Sequence, residues 1–361
     1  MIAECDDYVN SIQVPQLIKA SILHGGEPEM NGIRPVMYTG GFCVVFPYKI
    51  NNQKYAIRCW HAYLEGAQER AKEISDYLNE VNLPYFVKFQ YVDEGIATPK
   101  GVMPIVVMDW VDAKPLKKYI QDIINDSSAL EKLASSFLKM AQDLHAHEIS
   151  HGDLQHGNIM VKDSGEIVLV DYDSMYVPKL QGYSNQINGL EGYQHPARWT
   201  TKEVTPKADY FSELIIYTSI IALSKFPYLW EKLKMQDTET MIFSKEDIES
   251  KGYSSIFNEL TKDSYLKQLV SIIRSELACS SIEELLPLED VEPNNKHKAF
   301  LDSLSKEWEN NGYTPQHNAK IDTSSTVEEQ RNEWATTGIE NQSSTVNYNV
   351  SEIDETRKEW N

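Results

Sequence analysis

Residues 151–161 read HGDLQHGNIMV and residues 167–173 read IVLVDYD. The first stretch sets His151, Asp153 and Asn158 at fixed intervals directly ahead of an apolar run, Ile159 to Val161. A turn at Asp163-Ser164-Gly165 then leads into a second apolar run, Ile167 to Val170, with Asp171 at its end. Two short β-rich runs joined by such a turn predict a hairpin. The loop before the hairpin and the end of its second strand then bring Asp153, Asn158 and Asp171 to one face. Each of these residues alone is ordinary, since His and Asp cap turns and Asn opens strands. Their joint spacing, with another hairpin upstream, points to chemistry instead.

The chain around this stretch divides by pattern. Residues 37 to 60 predict a hairpin whose polar turn is Asn51-Asn52-Gln53. Residues 66 to 80 place Ala67, Ile74, Tyr77 and Leu78 at helical spacing, and further strands are expected around Tyr85 to Val92 and Pro104 to Val111. Beyond Lys114-Pro115 helices take over. Leu130, Leu133, Phe137, Met140, Ala141 and Leu144 share one helical face. The run Leu214 to Leu223 reads as a buried helix, too short to span a bilayer. Tyr210, Phe211, Tyr217, Phe226 and Tyr228 read as core packing. The expected fold is α+β and bilobal: an extension over 1–35, a small β-rich lobe over 36–112 and a larger helical lobe over 113–292. From 293 to 361 composition turns polar, and a tail of this kind cannot bury enough apolar surface to fold by itself. It repeats Ser-Ser-Thr-Val at 324–327 and 343–346, and a Glu-Trp pair ending at Trp334 and at Trp360.

Phosphoryl transfer from ATP demands positioning and charge control more than covalent chemistry. A carboxylate must orient the acceptor hydroxyl and take its proton, which suits Asp153. Oxygen ligands must grip Mg2+, or Mn2+, around the phosphates, which suits Asn158 and Asp171.

With these motifs in place, the chain resembles the protein-kinase superfamily over roughly residues 36 to 285. Asp153 and Asn158 match the catalytic-loop acid and its metal-binding amide, and Asp171-Tyr172-Asp173 stands where DFG is expected. Gly40-Gly41-Phe42-Cys43-Val44-Val45 is similar to a reduced glycine-rich loop, and Tyr55-Ala56-Ile57-Arg58 to the VAIK strand. Val106 to Val111 resembles the last strand before the hinge, with Met108 as gatekeeper. Ala208-Asp209-Tyr210-Phe211-Ser212 resembles the start of the long buried helix, whose Asp would hold the catalytic-loop backbone. The resemblance implies a nucleotide site of Gly40, Gly41, Val45, Ala56, Arg58, Glu69, Met108, Asp109 and Val111. More narrowly, HGDLQHGN, VDYD and Gly192-Tyr193-Gln194-His195-Pro196 look like a bacterial group of eukaryotic-like serine/threonine kinases. Members are often encoded beside a metal-dependent protein phosphatase and a von Willebrand A-type protein, which implies signalling and those partners.

Four departures stand out. Arg58 occupies the place of the phosphate-gripping Lys; it is always charged and binds phosphate bidentately, with a bulkier fork. Its helix partner is either Glu69 or Glu73, which share a face, with the motif Gln68-Glu69-Arg70 favouring Glu69. Gln155 replaces the usual Lys two positions after the catalytic Asp, removing a positive charge from the transferring group. Asp173 replaces the DFG Gly, and His195-Pro196-Ala197 alone represents the APE signature. A third acid at 173 can lean toward metal.

Other classes fall away. The net charge of −20 repels nucleic acid and anionic membranes. Cys5, Cys43, Cys59 and Cys279 show no CxxC pairing and read as reduced thiols. The start of the chain lacks the basic and apolar regions of a secretory signal, so the cytoplasm is expected. GxxxxGK[ST] is absent, which excludes a P-loop enzyme. His145, His147, His151 and His156 lack the acids or cysteines of a zinc set; His151 is expected to brace its loop through backbone hydrogen bonds. Three functions remain. The first is an ATP- and Mg-dependent serine/threonine kinase acting on protein substrates, its own Thr326 and Thr345 among them. The second is a pseudokinase scaffold presenting Trp334 and Trp360. The third is a small-molecule kinase, a class that also carries HGD.

Overall fold

The computed structural model describes residues 2–63 and 66–293. The tail repeats at Thr326, Trp334, Thr345 and Trp360 lie outside the described residues. The first lobe is built on a six-stranded antiparallel sheet. Its strands are β1 (Glu27–Pro28), β2 (Tyr38–Thr39), β3 (Cys43–Ile50), β4 (Gln53–Trp60), β5 (Phe89–Thr98) and β6 (Gly101–Asp109), in the order β1-β3-β4-β6-β5 with β2 also on β3. Asn51 takes a left-handed conformation (φ 54°) at the β3–β4 turn, which Asn tolerates.

Register decides what each face of this sheet carries. Val45 pairs with Arg58 and Arg58 with Val106; Pro47 pairs with Ala56 and Ala56 with Met108. Cross-strand partners share a face, so Val45, Arg58, Ala56 and Met108 all point one way, toward the helical lobe. The opposite face holds Val44, Phe46, Ile57, Cys59, Ile105 and Val107, packed with Tyr8, Ile12, Ile18 and Leu23 of the N-terminal stretch. Helix α1 (Cys5–Ile12) anchors this cover, and the Tyr8 hydroxyl donates to the Trp60 carbonyl at 3.0 Å. Residues 3–23 thus serve as the back wall of the sheet, while Glu27–Pro28 joins it as a strand, so the sheet begins ahead of the boundary expected at residue 36.

Helix α2 (Ala67–Val81) buries Ala71, Ile74 and Leu78 against Phe89 and Val106. It ends at Asn82 in the left-handed region, and the Ser75 hydroxyl ties it to Phe89 at 3.0 Å. The strand expected around Tyr85 to Val92 is shifted: β5 begins at Phe89 and runs on to Thr98. A bulge between Val92 and Ile96 breaks its alternation, which hides Asp93-Glu94-Gly95 as strand residues. Gly95 is required there, because a Cβ would meet Ile105 at 2.4 Å. Tyr85 turns to the second lobe instead, its carbonyl accepting Leu169 N–H at 2.7 Å.

The second lobe packs α3 (Leu116–Ile123), α4 (Ser127–Ala146), α5 (Tyr210–Lys225) and α6 (Ser264–Glu276) beside the hairpin of β7 (Ile159–Val161) and β8 (Ile167–Leu169). Every residue of α5 from Phe211 to Ser224 is buried, as an all-round apolar helix requires. Tyr228 departs from the expected core set: it follows Pro227 past the end of α5, lies half exposed and donates to Glu259 at 2.6 Å. Among the described residues no helix is long and apolar enough to cross a membrane.

One buried charge group locks α4 to α5. His145 lies 3.0 Å from Glu213 on α5 and 2.9 Å from Glu289, with Tyr210 against its ring. Burial works against the His145 charge, but the two carboxylates outweigh it and push its pKa up to about 10. The folded value exceeds the unfolded value of about 6.5, so the stabilisation is complete below about pH 6.5 and lost as pH rises through 10. We expect His145→Ala to cost about 3 kcal/mol at pH 7. In urea titrations its deficit against the wild type should shrink steadily from pH 7 to pH 10.

Candidate active site

The loop between α4 and β7 carries the polar residues that the sequence singles out. Its backbone donors are fixed from α5. Asp209, at the start of that helix, accepts the N–H of His151 and the N–H of Gly152 at 3.0 Å. His151 is fully buried, and its Nε2 meets the Val170 carbonyl at 2.9 Å, bracing the loop as expected. Ser174 donates to the His151 carbonyl at 2.9 Å. Gly152 sits at φ 78°, and a Cβ there would come 2.2 Å from the Ser174 carbonyl oxygen. Only glycine meets both conditions.

Asp153 and Asn158 are brought together by this brace. The Asn158 amide donates to the Asp153 carbonyl at 2.8 Å and to its Oδ2 at 3.2 Å. With Nδ2 so engaged, Oδ1 of Asn158 is the atom left to face a cation. Asp153 is buried, and its Oδ1 accepts the Leu190 N–H at 3.0 Å. Gly189, at φ 80°, has no room for a side chain there: a Cβ would lie 2.8 Å from Asp153 Oδ1. Gln155 folds back on its own loop, accepting Gly157 N–H at 2.6 Å.

Asn158 and Asp171 are neighbours through the backbone, since Val170 N–H donates to the Asn158 carbonyl at 3.0 Å. Asp171 adopts φ 67°, a conformation uncommon outside glycine, and its side chain is exposed. The three residues after Val170 diverge. Tyr172 is buried beside Phe86 and Phe89; its hydroxyl donates to Leu169 at 2.7 Å and accepts Val87 N–H at 3.0 Å. Asp173 turns to β4, where its Oδ2 forms an ion pair with Arg58 Nη2.

Arg58 therefore has a partner other than either expected glutamate. Glu73 lies 3.4 Å from Lys179, and Glu69 sits close enough to Tyr183 to push the pKa of its hydroxyl up. The reason lies in how α2 is turned. It presents Arg70 to the segment after β8, with Nη1 donating to Ser184 O at 3.1 Å and Nη2 to Asp173 O at 3.3 Å. The glutamates on either side of Arg70 consequently face Lys179 and Tyr183. Burial works against the Arg58 charge, but Asp173, with Cys43 and Asp171, holds its pKa well above the ordinary value.

The comparisons with known proteins can be set beside this geometry. The family model for the protein kinase domain matches residues 37–316. The chain belongs to the protein kinase family. It is 23% identical over 197 residues to the serine/threonine-protein kinase shk2 of Schizosaccharomyces pombe, covering 52% of this chain and 32% of that protein. It is 28% identical over 150 residues to the serine/threonine-protein kinase GRIK2 of Arabidopsis thaliana, covering 38% of this chain and 36% of that protein. The serine/threonine-protein kinase dst4 of Dictyostelium discoideum is 24% identical over 165 residues, covering 44% of this chain and 33% of that protein. The aligned part thus spans about a third of each of these relatives.

The sheet face carrying Val45, Ala56, Arg58 and Met108 is the one on which the sequence places the nucleotide, and the structure gathers these four residues on it. Above it, Gly40 closes the β2–β3 turn, its N–H donating to Cys43 O at 2.8 Å. A Cβ at Gly41 would have nothing within 4 Å, and one at Gly40 only the Cys43 carbonyl at 3.7 Å. That open ground suits phosphates approaching the backbone. Asp109 ends β6 opposite Tyr55, and Val111 follows it, half-buried, in the connection to the second lobe. Asn158 and Asp171 present oxygen donors, the chemistry a hard divalent cation requires.

Sequence reasoning missed Arg70, Gln194 and Arg198. Arg198 is almost fully buried, reaching the carbonyls of Gly152 and Ile187 at 3.4 Å each. Gln194 is buried beside Gly189. No periodicity marks these residues: Arg70 and Arg198 act on backbone of other segments, and Gln194 fills the space beside Gly189.

The Tyr172 hydroxyl is the clearest thread between the lobes. Tyr172→Phe leaves Val87 N–H without its acceptor and Leu169 O without its side-chain donor. Urea unfolding should show a loss of about 1–3 kcal/mol.

Proposed function

We propose that this chain is an ATP- and Mg-dependent protein serine/threonine kinase. The observation that carries the reading is the hydrogen-bonded pair Asp153–Asn158, held by Asp209 and joined through Val170 to Asp171. Bound Mg-ATP supplies the activated phosphoryl group and the divalent charge that screens it. Asp153 orients the acceptor hydroxyl and accepts its proton, exchanging the Leu190 N–H for that hydroxyl. Asn158 and Asp171 hold the metal, and Arg58 grips the phosphates. The serine/threonine specificity is supported by the names of the relatives. The bacterial signalling setting, the metal-dependent phosphatase and the von Willebrand A-type protein as partners rest on the motif resemblance alone. The cytoplasmic setting rests on the reduced-thiol reading of the four cysteines.

A second reading, a pseudokinase scaffold, is favoured by two particulars. Gln155 folds onto Gly157 instead of reaching outward, and Asp153 is already bonded by Leu190. Steady-state turnover with magnesium and ATP separates the two. Asp153→Asn should lower kcat by roughly 10²- to 10⁴-fold, the range of a lost general base. Equal rates in wild type and variant exclude the enzyme.

The tail is proposed as one acceptor, because Thr326 and Thr345 recur in the same Ser-Ser-Thr-Val context. A phosphothreonine there offers a dianion to an arginine-bearing reader. Phosphopeptide mapping after incubation with ATP should find label on both threonines, and a tail without label at either removes this acceptor.

A further inference from the structure

The ion pair between Arg58 and Asp173 crosses the cleft next to the proposed metal ligands, yet Asp173 has no role in the chemistry assigned to them. We propose that Asp173 is the residue that positions Arg58 for the nucleotide phosphates, replacing a glutamate of α2, and that α2 acts on the site through Arg70. This rests on the reading of Arg58 as a phosphate-binding cation.

Arg58 is a permanent charge in a poor solvent: it is 7% exposed and cannot shed its proton. A buried guanidinium needs compensation even when no nucleotide is bound; Arg70 and Arg198 find it in backbone carbonyls, whereas Arg58 finds it in a carboxylate. The acids on every neighbouring element can be compared. Glu69 and Glu73 on α2 are committed to Tyr183 and Lys179. Asp171 is exposed at a left-handed backbone position and adds its charge to the field at Arg58. Asp173 alone forms an ion pair with Arg58 among the described residues.

The pair also has the geometry of a device for orientation. Asp173 engages Nη2 only, and a guanidinium has five N–H donors in a fixed fork. Held by one corner, with the Cys43 thiol beside it on the same sheet face, the fork keeps further N–H donors for phosphate oxygens. The backbone that presents Asp173 is itself fixed, because Arg70 donates to the carbonyls of Asp173 at 3.3 Å, Met175 at 3.5 Å and Ser184 at 3.1 Å. Asp173 therefore stands between two arginines, one from the sheet and one from the helix. Charge signs are distributed so that the helix supplies the cation and the segment after β8 supplies the anion. Aspartate at 173 has a reason in this arrangement that glycine could not satisfy.

Two readouts on the full chain test this. One is the affinity for a fluorescent ADP analogue with magnesium, which needs no turnover; the other is steady-state kinetics. Asp173→Asn should weaken the analogue and raise the KM for ATP at least tenfold, with kcat changed less. Asp173→Glu should recover the affinity to within about threefold. Glu69→Gln and Glu73→Gln should each cost at least tenfold less than Asp173→Asn. A double-mutant cycle covers the case in which Asp173→Asn fails to fold. Arg58→Met combined with Asp173→Leu removes both charges and should bind the analogue no worse than Arg58→Met alone. Wild-type or tighter binding by Asp173→Asn overturns the proposal, as does a loss on Glu69→Gln equal to that on Asp173→Asn, or an added loss in the double variant. Failure of the kinase reading looks different: turnover would be absent in the wild type while the affinity still depended on Asp173.

Discussion

The carboxylate of Asp209 is the constraint on which the centre of this protein depends. A loop that presents Asp153 and Asn158 to a cleft must run through protein interior, where unpaired backbone N–H groups are costly. Asp209 accepts two of them, from His151 and Gly152. Its helix, α5, is apolar on all sides and buried along its length, so the acceptor cannot drift. His151 and Ser174 then join this fixed loop to the end of β8 and the segment beyond it. The positions of Asp153, Asn158 and Asp171 follow from that set of bonds rather than from contacts among the three side chains alone.

Around this frame the charges are arranged in an unusual order. Arg58 and Arg70 approach Asp173 from opposite elements, and Arg198 reaches beneath the loop to the carbonyl of Gly152. Burial pulls the pKa of Arg70 and of Arg198 down, against nearby acids. Three buried guanidinium groups in a strongly acidic chain mark where cationic charge is concentrated. They bind carbonyls and carboxylates of the segment that runs from Asp171 to Leu190, so the conformation of that segment and the electrostatics of the cleft are one property. The back wall of α1 and residues 18–23 contributes from the other side, leaving only one face of the sheet open to the cleft.

Much of this was legible in the residues. The hairpin turn at Asn51-Asn52, the amphipathic α2, the buried α5 and the β7–β8 hairpin all follow from local periodicity and turn chemistry. Asp209 as holder of the loop was implied by the family resemblance of Ala208 to Ser212, and the structure shows it in that place. Where local pattern failed, the cause was tertiary. β5 was displaced because a bulge spoils its alternation and Tyr85 bonds the other lobe. The partner of Arg58 was misassigned because i,i+4 spacing states that Glu69 and Glu73 share a face, but not which way that face turns.

By itself the sequence determined the mixed α+β, two-lobed fold, since strand and helix periodicity and turn chemistry are local, and its motifs pointed by resemblance to the family. Only the tertiary structure decided which acid neutralises Arg58, that Gln155 folds inward, and that Arg70, Gln194 and Arg198 lie under the active segment. The partners of Arg58 and Arg70 turn on the rotation of a helix about its axis and on the approach of chain segments more than a hundred residues apart. Electrostatic partners are chosen by distance in space, and no periodicity along a chain encodes that distance.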